Sequence, residues 1–478
     1  MKLSAAILAA IAAAIAGYFL LVSYLVSVDA ARDHATRQLS AWTGRTASVG
    51  EQAELALFPS PRLVLHNLRI DSPDGGAGTE LLSADTLQAD IGILPLLIGR
   101  IRLGTLVLDD PKIQFVRDSG GKRNWRLDGG PAAVQLALSG DLPIDRLVLR
   151  NATIVYDNAR RDTRETVLVP ELKLDWEGIR QPASLTGSIR MREEDIAFRV
   201  DVESPLAFFD RKSTDFSAEL KSPLLNANLD GRLADYKAAQ FAGQIDASGP
   251  SLRRLIKFFG GKDSASPGLR AFALSGQAEL KPDELFIDRG RVQLDENVAS
   301  GNLTIALPEK KEKAKLTGTL AFPTLNLTPY LQAIGGGTGP LDWNERRIDT
   351  DWFDELNADV RLSAEQVIAG PYRFGGTAAS AFLKDGMLEI GLAQSVFYGG
   401  VASGTISVTD LPGEKGQAAG VQLRATDFNF GQTITLAGGA TDLGGKATMS
   451  ISLETSGASL GEQAANLAGT TTIASLNG

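Results

Sequence analysis

Regular alternation of apolar and polar residues recurs along most of the chain and limits the folds that it can adopt. A period of two places successive side chains on opposite faces of a β-strand, whereas a helix needs a period of about 3.6. Two segments show the pattern most regularly, with an apolar residue at every second position: Leu87, Ala89, Ile91 and Ile93, and Ala447, Met449, Ile451 and Leu453. The 50 glycines and 20 prolines supply turns between such segments. We therefore expect a mostly β protein, arranged most simply as an antiparallel meander.

An internal repeat with the pattern L-V-L-x-[N/D]-x-x-I occurs at residues 63–70, 106–113 and 147–154. The copies start 43 and then 41 residues apart, a spacing at which each unit would be a few strands joined by turns. Residues 285–292 form a looser fourth copy. The repeat indicates a sheet that grows lengthwise. The alternative is that any β-rich chain contains strands that look alike.

The N-terminal segment Leu3–Val28 contains no charged residue and is flanked by Lys2 and Asp29. As a helix it would be about 39 Å long, enough to cross the apolar core of a bilayer. The alternative is a cleaved signal peptide, but the apolar region of a signal peptide is shorter than this segment. We therefore expect a single-pass anchor in a bacterial inner membrane, with the rest of the chain in the periplasm.

Composition excludes several kinds of chemistry. The chain has no cysteine, so disulfides and thiolate metal sites are impossible, and its net charge of −9 disfavours nucleic acid as a partner. Its two histidines, His34 and His66, are too few for an ordinary zinc site. The acidic run at Asp349, Asp351 and Asp354 lacks the glycine and glutamate spacing of a calcium loop, so a solvated linker is the better interpretation. We expect no metal and no cofactor.

One segment matches a catalytic motif. Gly457–Gly461 has the G-x-S-x-G pattern of a hydrolase nucleophile, with Ser459 at its centre, after a strand and before a helix-like segment. That chemistry needs a histidine downstream of the serine, and none follows Ser459. We interpret the motif as a strand-to-helix turn and expect that the protein is not an enzyme.

Two short helices are predicted in the middle of the chain. Ser251 can cap a helix over Leu252–Phe259 that ends at Gly260, and Thr328 opens another that runs to Ile334. The first helix is basic and amphipathic, and either rests on a membrane surface or, more commonly for such helices, covers the end of a sheet.

Several elements, taken in their order along the chain, resemble the AsmA family of inner-membrane-anchored periplasmic proteins of Gram-negative bacteria. In addition to the anchor and the repeat, they are Gly44-Arg45, Ser48–Gly50, Phe58–Pro61, Leu94–Ile101, Gly121–Trp125, Ser251–Phe259, Asp385–Leu388 and Phe397–Gly400. The resemblance implies an elongated β-groove related to chorein-type bridge proteins, whose apolar inner face carries lipid, and a role in outer-membrane biogenesis. It also implies phospholipid and envelope-assembly proteins as partners.

With that resemblance, the chain divides into five segments. They are a transmembrane anchor at 1–28, an N-terminal AsmA-like β region at 29–120, a middle β-rich region at 121–334, a linker-like loop at 335–354 and a C-terminal β-rich region at 355–478. The apolar residues of the two alternating segments, Leu87 to Ile93 and Ala447 to Leu453, are the candidates for lining a lipid groove. The alternative function is a scaffold or regulator of outer-membrane protein assembly whose strands form a closed sandwich.

The length of such a groove can be bounded from strand spacing. About twenty to twenty-five strands at roughly 4.8 Å each extend on the order of 100 Å, less than the distance between two membranes that a full bridge must cover. We therefore expect that this chain alone does not reach the outer membrane. Crosslinking from Leu467 or Ile473 in cells tests this, and direct capture of an outer-membrane component would contradict it.

Overall fold

The structure is a computed structural model of the chain, and it describes most residues from 32 onward. The described residues are 32–33, 35–37, 39–40, 45–56, 61–72, 80–92, 103–125, 145–160, 162–178, 180–235, 240–261, 268–306, 313–335, 350, 353, 356–411, 416–436 and 444–476. The expected anchor at 1–28, the motif residues Leu94–Ile101 and the acidic run at 349–354, apart from Thr350 and Phe353, lie outside them. Within the described residues, no helix is both long and apolar enough to cross a bilayer.

The chain divides into two compact units. Unit 1 comprises Met1–Pro223 and Arg232–Tyr236, and unit 2 comprises Leu224–Gly231 and Lys237–Gly478. The described residues contain 25 strands, most of them in antiparallel pairs, and a few short helices. The prediction of a mostly β protein with few helices is therefore confirmed.

The first part of the chain is built from β1 to β12, one short helix and a helical stretch among residues 32–40. The elements are β1 (Ala47–Ser48), β2 (Ala53–Ala56), β3 (Arg62–Asp71), β4 (Glu80–Ile91), β5 (Leu103–Asp109), β6 (Lys112–Arg117), β7 (Arg146–Asn158), β8 (Thr163–Asp175), β9 (Ala183–Met191), β10 (Glu194–Val202), α1 (Pro205–Phe209), β11 (Thr214–Lys221) and β12 (Asn226–Ala234).

The remaining elements belong to unit 2. They are β13 (Gln240–Gly249), α2 (Leu252–Phe258), β14 (Phe272–Lys281), β15 (Glu284–Leu294), β16 (Asn297–Ala306), β17 (Ala314–Asn326), α3 (Thr328–Gly335), β18 (Leu356–Ala369), β19 (Tyr372–Phe374), β20 (Thr377–Lys384), β21 (Met387–Phe397), β22 (Gly400–Asp410), β23 (Gln417–Asn429), α4 (Phe430–Leu436), β24 (Lys446–Gly457), α5 (Leu460–Ala465) and β25 (Ala468–Leu476).

Each copy of the repeat contains one residue that interrupts the regular alternation of side chains between the two faces of its strand. Its fifth residue is left-handed in each copy, with φ of 53° at Asn67, 51° at Asp110 and 53° at Asn151. Asparagine and aspartate tolerate this conformation better than other residues with a side chain, which explains their place in the pattern. The change lets apolar residues at positions three and six face the same way, so Leu65 and Leu68 are both buried.

Copies two and three of the repeat are neighbours in the sheet. Their strands run parallel and pair position by position, with Leu106 opposite Leu147, Leu108 opposite Leu149 and Ile113 opposite Ile154. This pairing shows that copies two and three of the repeat form equivalent, neighbouring strands. It also shows that the expected antiparallel meander is wrong at this place, as it is where β17 and β18 pair in parallel. Parallel neighbours need a crossover connection, and long segments precede β7 and β18.

Unit 1 contains the larger buried core. Leu63, Leu65 and Leu87 from β3 and β4 are fully buried, and the helical residues Ala35 and Leu39 belong to the same cluster. Because a sheet face with leucines must be covered, this helical stretch closes the apolar face of β3 and β4.

The short helices begin at side-chain caps. Ser251 accepts a hydrogen bond from the backbone N–H of Arg254 and thereby caps α2, which ends before Gly260 with its φ of 94°. The helix predicted from Thr328 is α3. Both helices are therefore confirmed, and the start and end of α2 follow from a cap and a glycine stop, which are local signals.

The end of the predicted linker packs against unit 2. Thr350 and Phe353 are buried, and the Thr350 hydroxyl lies 2.5 Å from Oδ1 of Asp410 while it accepts a hydrogen bond of 2.8 Å from Nε2 of Gln417. This contact fixes the chain shortly before β18 begins.

Candidate functional site

In unit 2, the register of the paired strands places apolar side chains next to one another in a row that crosses the strands. Residues directly opposite each other in paired strands project from the same face. We define the apolar row by following these partners from β13 to β25, leaving out the short β19: Gly243, Ala278, Ile287, Leu303, Gly318, Val360, Ala381, Ile390, Ile406, Val421, Leu453 and Gly469. Every member is apolar or glycine, and none is ionisable.

A second row on the same face repeats this composition. It consists of Phe241, Leu280, Leu285, Ile305, Leu316, Ala358, Leu383, Leu388, Val408, Ala419 and Thr455. The face that carries both rows is called the apolar face of unit 2. Neither row contains an ionisable residue.

The opposite face of the same strands is largely polar. A row taken from this face contains Asp359, Phe382, Glu389, Ser407, Gly420 and Glu454. Polar residues therefore alternate with apolar residues along most of these strands, which makes the two faces chemically distinct. A cavity of about 590 Å³ opens on this polar side, where its lining includes Ser300, Ser363, Glu365 and Val396.

The apolar face of unit 2 is incompletely covered by the described residues. Ile390 and Ile406 lie directly opposite each other on β21 and β22 and expose 36% and 37% of their surface. Other members of the same row are covered, with Ile287 exposing none of its surface and Val360 8%, so the exposed part of the row lies at β21 and β22. Apolar side chains in the middle of a sheet that remain this exposed form a surface able to bind an apolar partner.

The predicted groove residues fall into different environments. Leu87, Ala89 and Ile91 are buried in the unit 1 core, so protein already covers them, and Ile93 lies outside the described residues. Ala447 and Met449 pack in a small cluster with Phe397, Ala425 and Phe428. Ile451 and Leu453 are half-buried, project from the apolar face of unit 2, and Leu453 belongs to the apolar row.

The sequence alone does not single out Ile390 and Ile406 as exposed members of one row. Ile390 lies in the alternating run Leu388–Leu392, and Ile406 lies in the next strand. Each segment was recognisable as a strand, but only register shows that these side chains meet. The sequence signal for Ile390 and Ile406 is that successive strands alternate apolar and polar residues in the same way.

The G-x-S-x-G segment forms a helix cap. Ser459 is buried and its hydroxyl accepts a hydrogen bond of 3.2 Å from the N–H of Glu462, while the Glu462 carboxylate accepts one of 2.7 Å from the N–H of Ala458. The pair resembles a capping box, except that Glu462 bonds the N–H of the residue before the cap. The interpretation of the segment as a strand-to-helix turn is confirmed, and the serine hydroxyl has a structural partner.

Acidic and histidine side chains do not assemble into a candidate metal site in the part of the chain that the structure describes. His66 projects from β3 with its Nε2 3.9 Å from Oε1 of Glu54, a single exposed contact. His34 and the acids Asp349, Asp351 and Asp354 are outside the described residues.

Comparison with known proteins places this architecture in a family. The sequence model of the AsmA family matches residues 1–264, more than half of the chain. Protein AsmA of Escherichia coli (strain K12) is 23% identical over 416 residues, which cover 81% of this chain and 60% of that protein. The chain thus spans less than two thirds of the length of this curated relative. The match over the repeat-bearing N-terminal half shows that this chain belongs to the AsmA family.

Proposed function

We propose that this protein acts in the bacterial cell envelope by binding phospholipid acyl chains along the apolar face of unit 2. The observation that carries the proposal is the apolar row, which crosses the paired strands of unit 2 without an ionisable residue and leaves Ile390 and Ile406 more than one third exposed. Membership of the AsmA family supports an envelope-related function. The uncharged segment Leu3–Val28 supports anchoring in the inner membrane, with the body in the periplasm.

The chemistry of the apolar face fits an acyl chain. Contact between a methylene chain and branched side chains is non-directional, so binding requires continuous apolar surface but no hydrogen-bonding groups. Removing each methylene from water is worth about 0.8 kcal/mol, and several neighbouring rows can contact the same chain. The polar face of the same strands keeps the sheet in contact with water. The proposed role is to carry or shield lipid, without chemical change to it.

Lipid retention by the purified full chain tests the proposal. The chain is purified in a mild detergent, and bound phospholipid is counted by mass spectrometry. Ile390→Asp with Ile406→Asp places two carboxylates on the apolar face, and we expect the retained lipid to fall by about tenfold because charges resist transfer from water. The matched control is Ser380→Asp with Ser407→Asp on the polar face of neighbouring strands, which should retain lipid as the parent does.

Two results would contradict lipid binding at this face. One is a parent chain that retains no phospholipid, and the other is equal loss from the polar-face control. Co-purification of outer-membrane assembly proteins without lipid would instead favour the scaffold function.

A further inference from the structure

Three arginines lie around the end of β6 in unit 1. Arg117 is the last residue of β6, and Arg123 pairs with it across the turn that follows. Arg160 comes just after β7, the parallel neighbour of β6. Asn158 positions it, because the Asn158 side-chain oxygen accepts a hydrogen bond of 3.2 Å from the N–H of Arg160. The Arg117, Arg123 and Arg160 side chains are called the arginine cluster.

Gly121 has no side chain, so space remains free where the guanidinium groups of Arg117 and Arg160 come near the backbone. A Cβ on Gly121 would stand 3.4 Å from Nη1 of Arg160 and 4.0 Å from Nη2 of Arg117. Gly121 has a φ of 89°, a left-handed conformation that disfavours any side chain. The backbone thus keeps space free beside two cationic groups, both within 4.0 Å of the position that a Cβ would occupy.

Two side chains of the arginine cluster, Arg117 and Arg160, have no carboxylate partner among the described residues. Arg117 Nε is buried without a hydrogen-bond partner, and neither the Arg117 nor the Arg160 guanidinium is ion-paired within the described ranges. Arg123 lies 5.9 Å from the centre of the Trp125 ring. The nearest carboxylate in the turn, Asp118, accepts a hydrogen bond of 2.8 Å from the N–H of Lys122. Like charges held together without a counter-ion favour binding of an anion.

The arginine cluster lies at the end of an apolar surface. Ile113, Phe115 and Arg117 alternate along β6 and project from one face. Phe115 lies opposite Tyr156, and Trp125 packs edge-on against both, at 5.5 Å and 5.8 Å between ring centres. A ligand on this surface would therefore meet aromatic rings first and guanidinium groups next. An amphipathic anion matches that order.

We propose that the arginine cluster binds a phosphate group, and that in the cell this is the phosphodiester of a lipid headgroup. Guanidinium groups present paired donors that match phosphate oxygens, and Gly121 provides the room for them. The lipid source rests on the function proposed above, whereas the phosphate site rests on the geometry of the arginine cluster alone. The site is in unit 1 and does not involve the apolar row.

Binding of two soluble probes to the full chain tests this site. The probes are inorganic phosphate and dihexanoyl-phosphatidylglycerol below its micelle concentration, both titrated by calorimetry. Arg117→Gln with Arg160→Gln removes two charges and should weaken binding of both probes by about tenfold or more. Tighter binding of the short lipid than of phosphate identifies the lipid headgroup as the source. Equal binding of the two probes leaves a phosphate site but overturns the lipid assignment.

A matched variant controls for net charge. Arg190→Gln with Arg199→Gln removes the same two charges from arginines that are bound to Asp195 and Asp201, and should leave probe binding unchanged. Thermal unfolding confirms that each variant is folded, and the single exposed change Arg160→Gln is a milder test. Unchanged probe binding by the Arg117/Arg160 variant, or equal weakening by the control, overturns the phosphate site. Loss of probe binding with normal lipid retention by the apolar face would separate this site from the function proposed above.

Discussion

The phenol of Tyr330 in α3 donates a hydrogen bond of 2.7 Å to Oδ2 of Asp295, in the turn between β15 and β16. The same carboxylate accepts hydrogen bonds from the backbone N–H groups of Leu269 and Arg270, at 3.1 Å and 2.8 Å. One aspartate therefore joins the crossover helix, a strand turn and the segment that leads into β14. This connection holds α3 beside the parallel pair of β17 and β18.

Tyr330 should give unit 2 a characteristic dependence on alkaline pH. Burial, and then the hydrogen bond to Asp295, raise the pKa of Tyr330 from 10.0 to about 12. Because the folded state favours the neutral phenol, its contribution to stability is complete below pH 10 and is lost as the pH rises toward about 12. Tyr330→Phe should cost about 1.5 kcal/mol at neutral pH, measured by urea unfolding. The difference between parent and variant should shrink above pH 10, and a constant difference would contradict this.

Leu65 and Ile406 should differ in what they contribute to stability. Leu65 is fully buried in the unit 1 core, so Leu65→Ala should reduce the free energy of unfolding by about 3 kcal/mol. Ile406 exposes 37% of its surface, so Ile406→Ala should cost about 1 kcal/mol in lipid-free protein. Denaturant unfolding of both variants measures the contrast. Equal costs would mean that the apolar face is covered in solution.

Ser459 should act as a helix cap and not as a nucleophile. Ser459→Ala removes the acceptor for the Glu462 N–H and should destabilise the protein by about 1 kcal/mol. Ser459→Asp can still cap the helix and should restore most of this stability. Urea unfolding of both variants measures these effects, and an aspartate variant no more stable than the alanine variant would contradict the capping role.

Glu165 should titrate below the ordinary range of a glutamate. Its hydrogen bond with Arg192, in the turn between β9 and β10, lowers the pKa of the Glu165 carboxyl from 4.5. The stabilisation is present above pH 4.5 and is lost as the pH falls through the lowered pKa. Arg192→Gln should raise the pKa of Glu165 toward its ordinary value, as followed by NMR of labelled glutamate carboxyls. An unchanged titration would show that the pair does not form in solution.

The sequence predictions that were confirmed rest on signals contained within a few neighbouring residues. The cap at Ser251 and the glycine stop at Gly260 each act through their own backbone, so they can be read from a few residues. Alternation likewise identified Ile451 and Leu453 as strand residues with one apolar face.

Features that depend on distant partners were not predictable. Leu87 has the same alternation as Leu453, yet it is buried because Ala35 and Leu39 cover its face, which no property of the strand itself reveals. The parallel pairing of β17 with β18 depends on a crossover path and not on the composition of either strand. The approach of Arg117 and Arg160 likewise depends on the pairing of β6 with β7.

Photocrosslinking from adjacent positions of one strand tests lipid binding most directly. A photoreactive residue is placed in turn at Ile390, on the apolar face of unit 2, and at Glu389, the neighbouring residue on the polar face. After irradiation in cells, phospholipid should be attached to the chain from position 390 and not from position 389. Attachment from both positions equally, or from neither, would contradict binding of lipid along the apolar row.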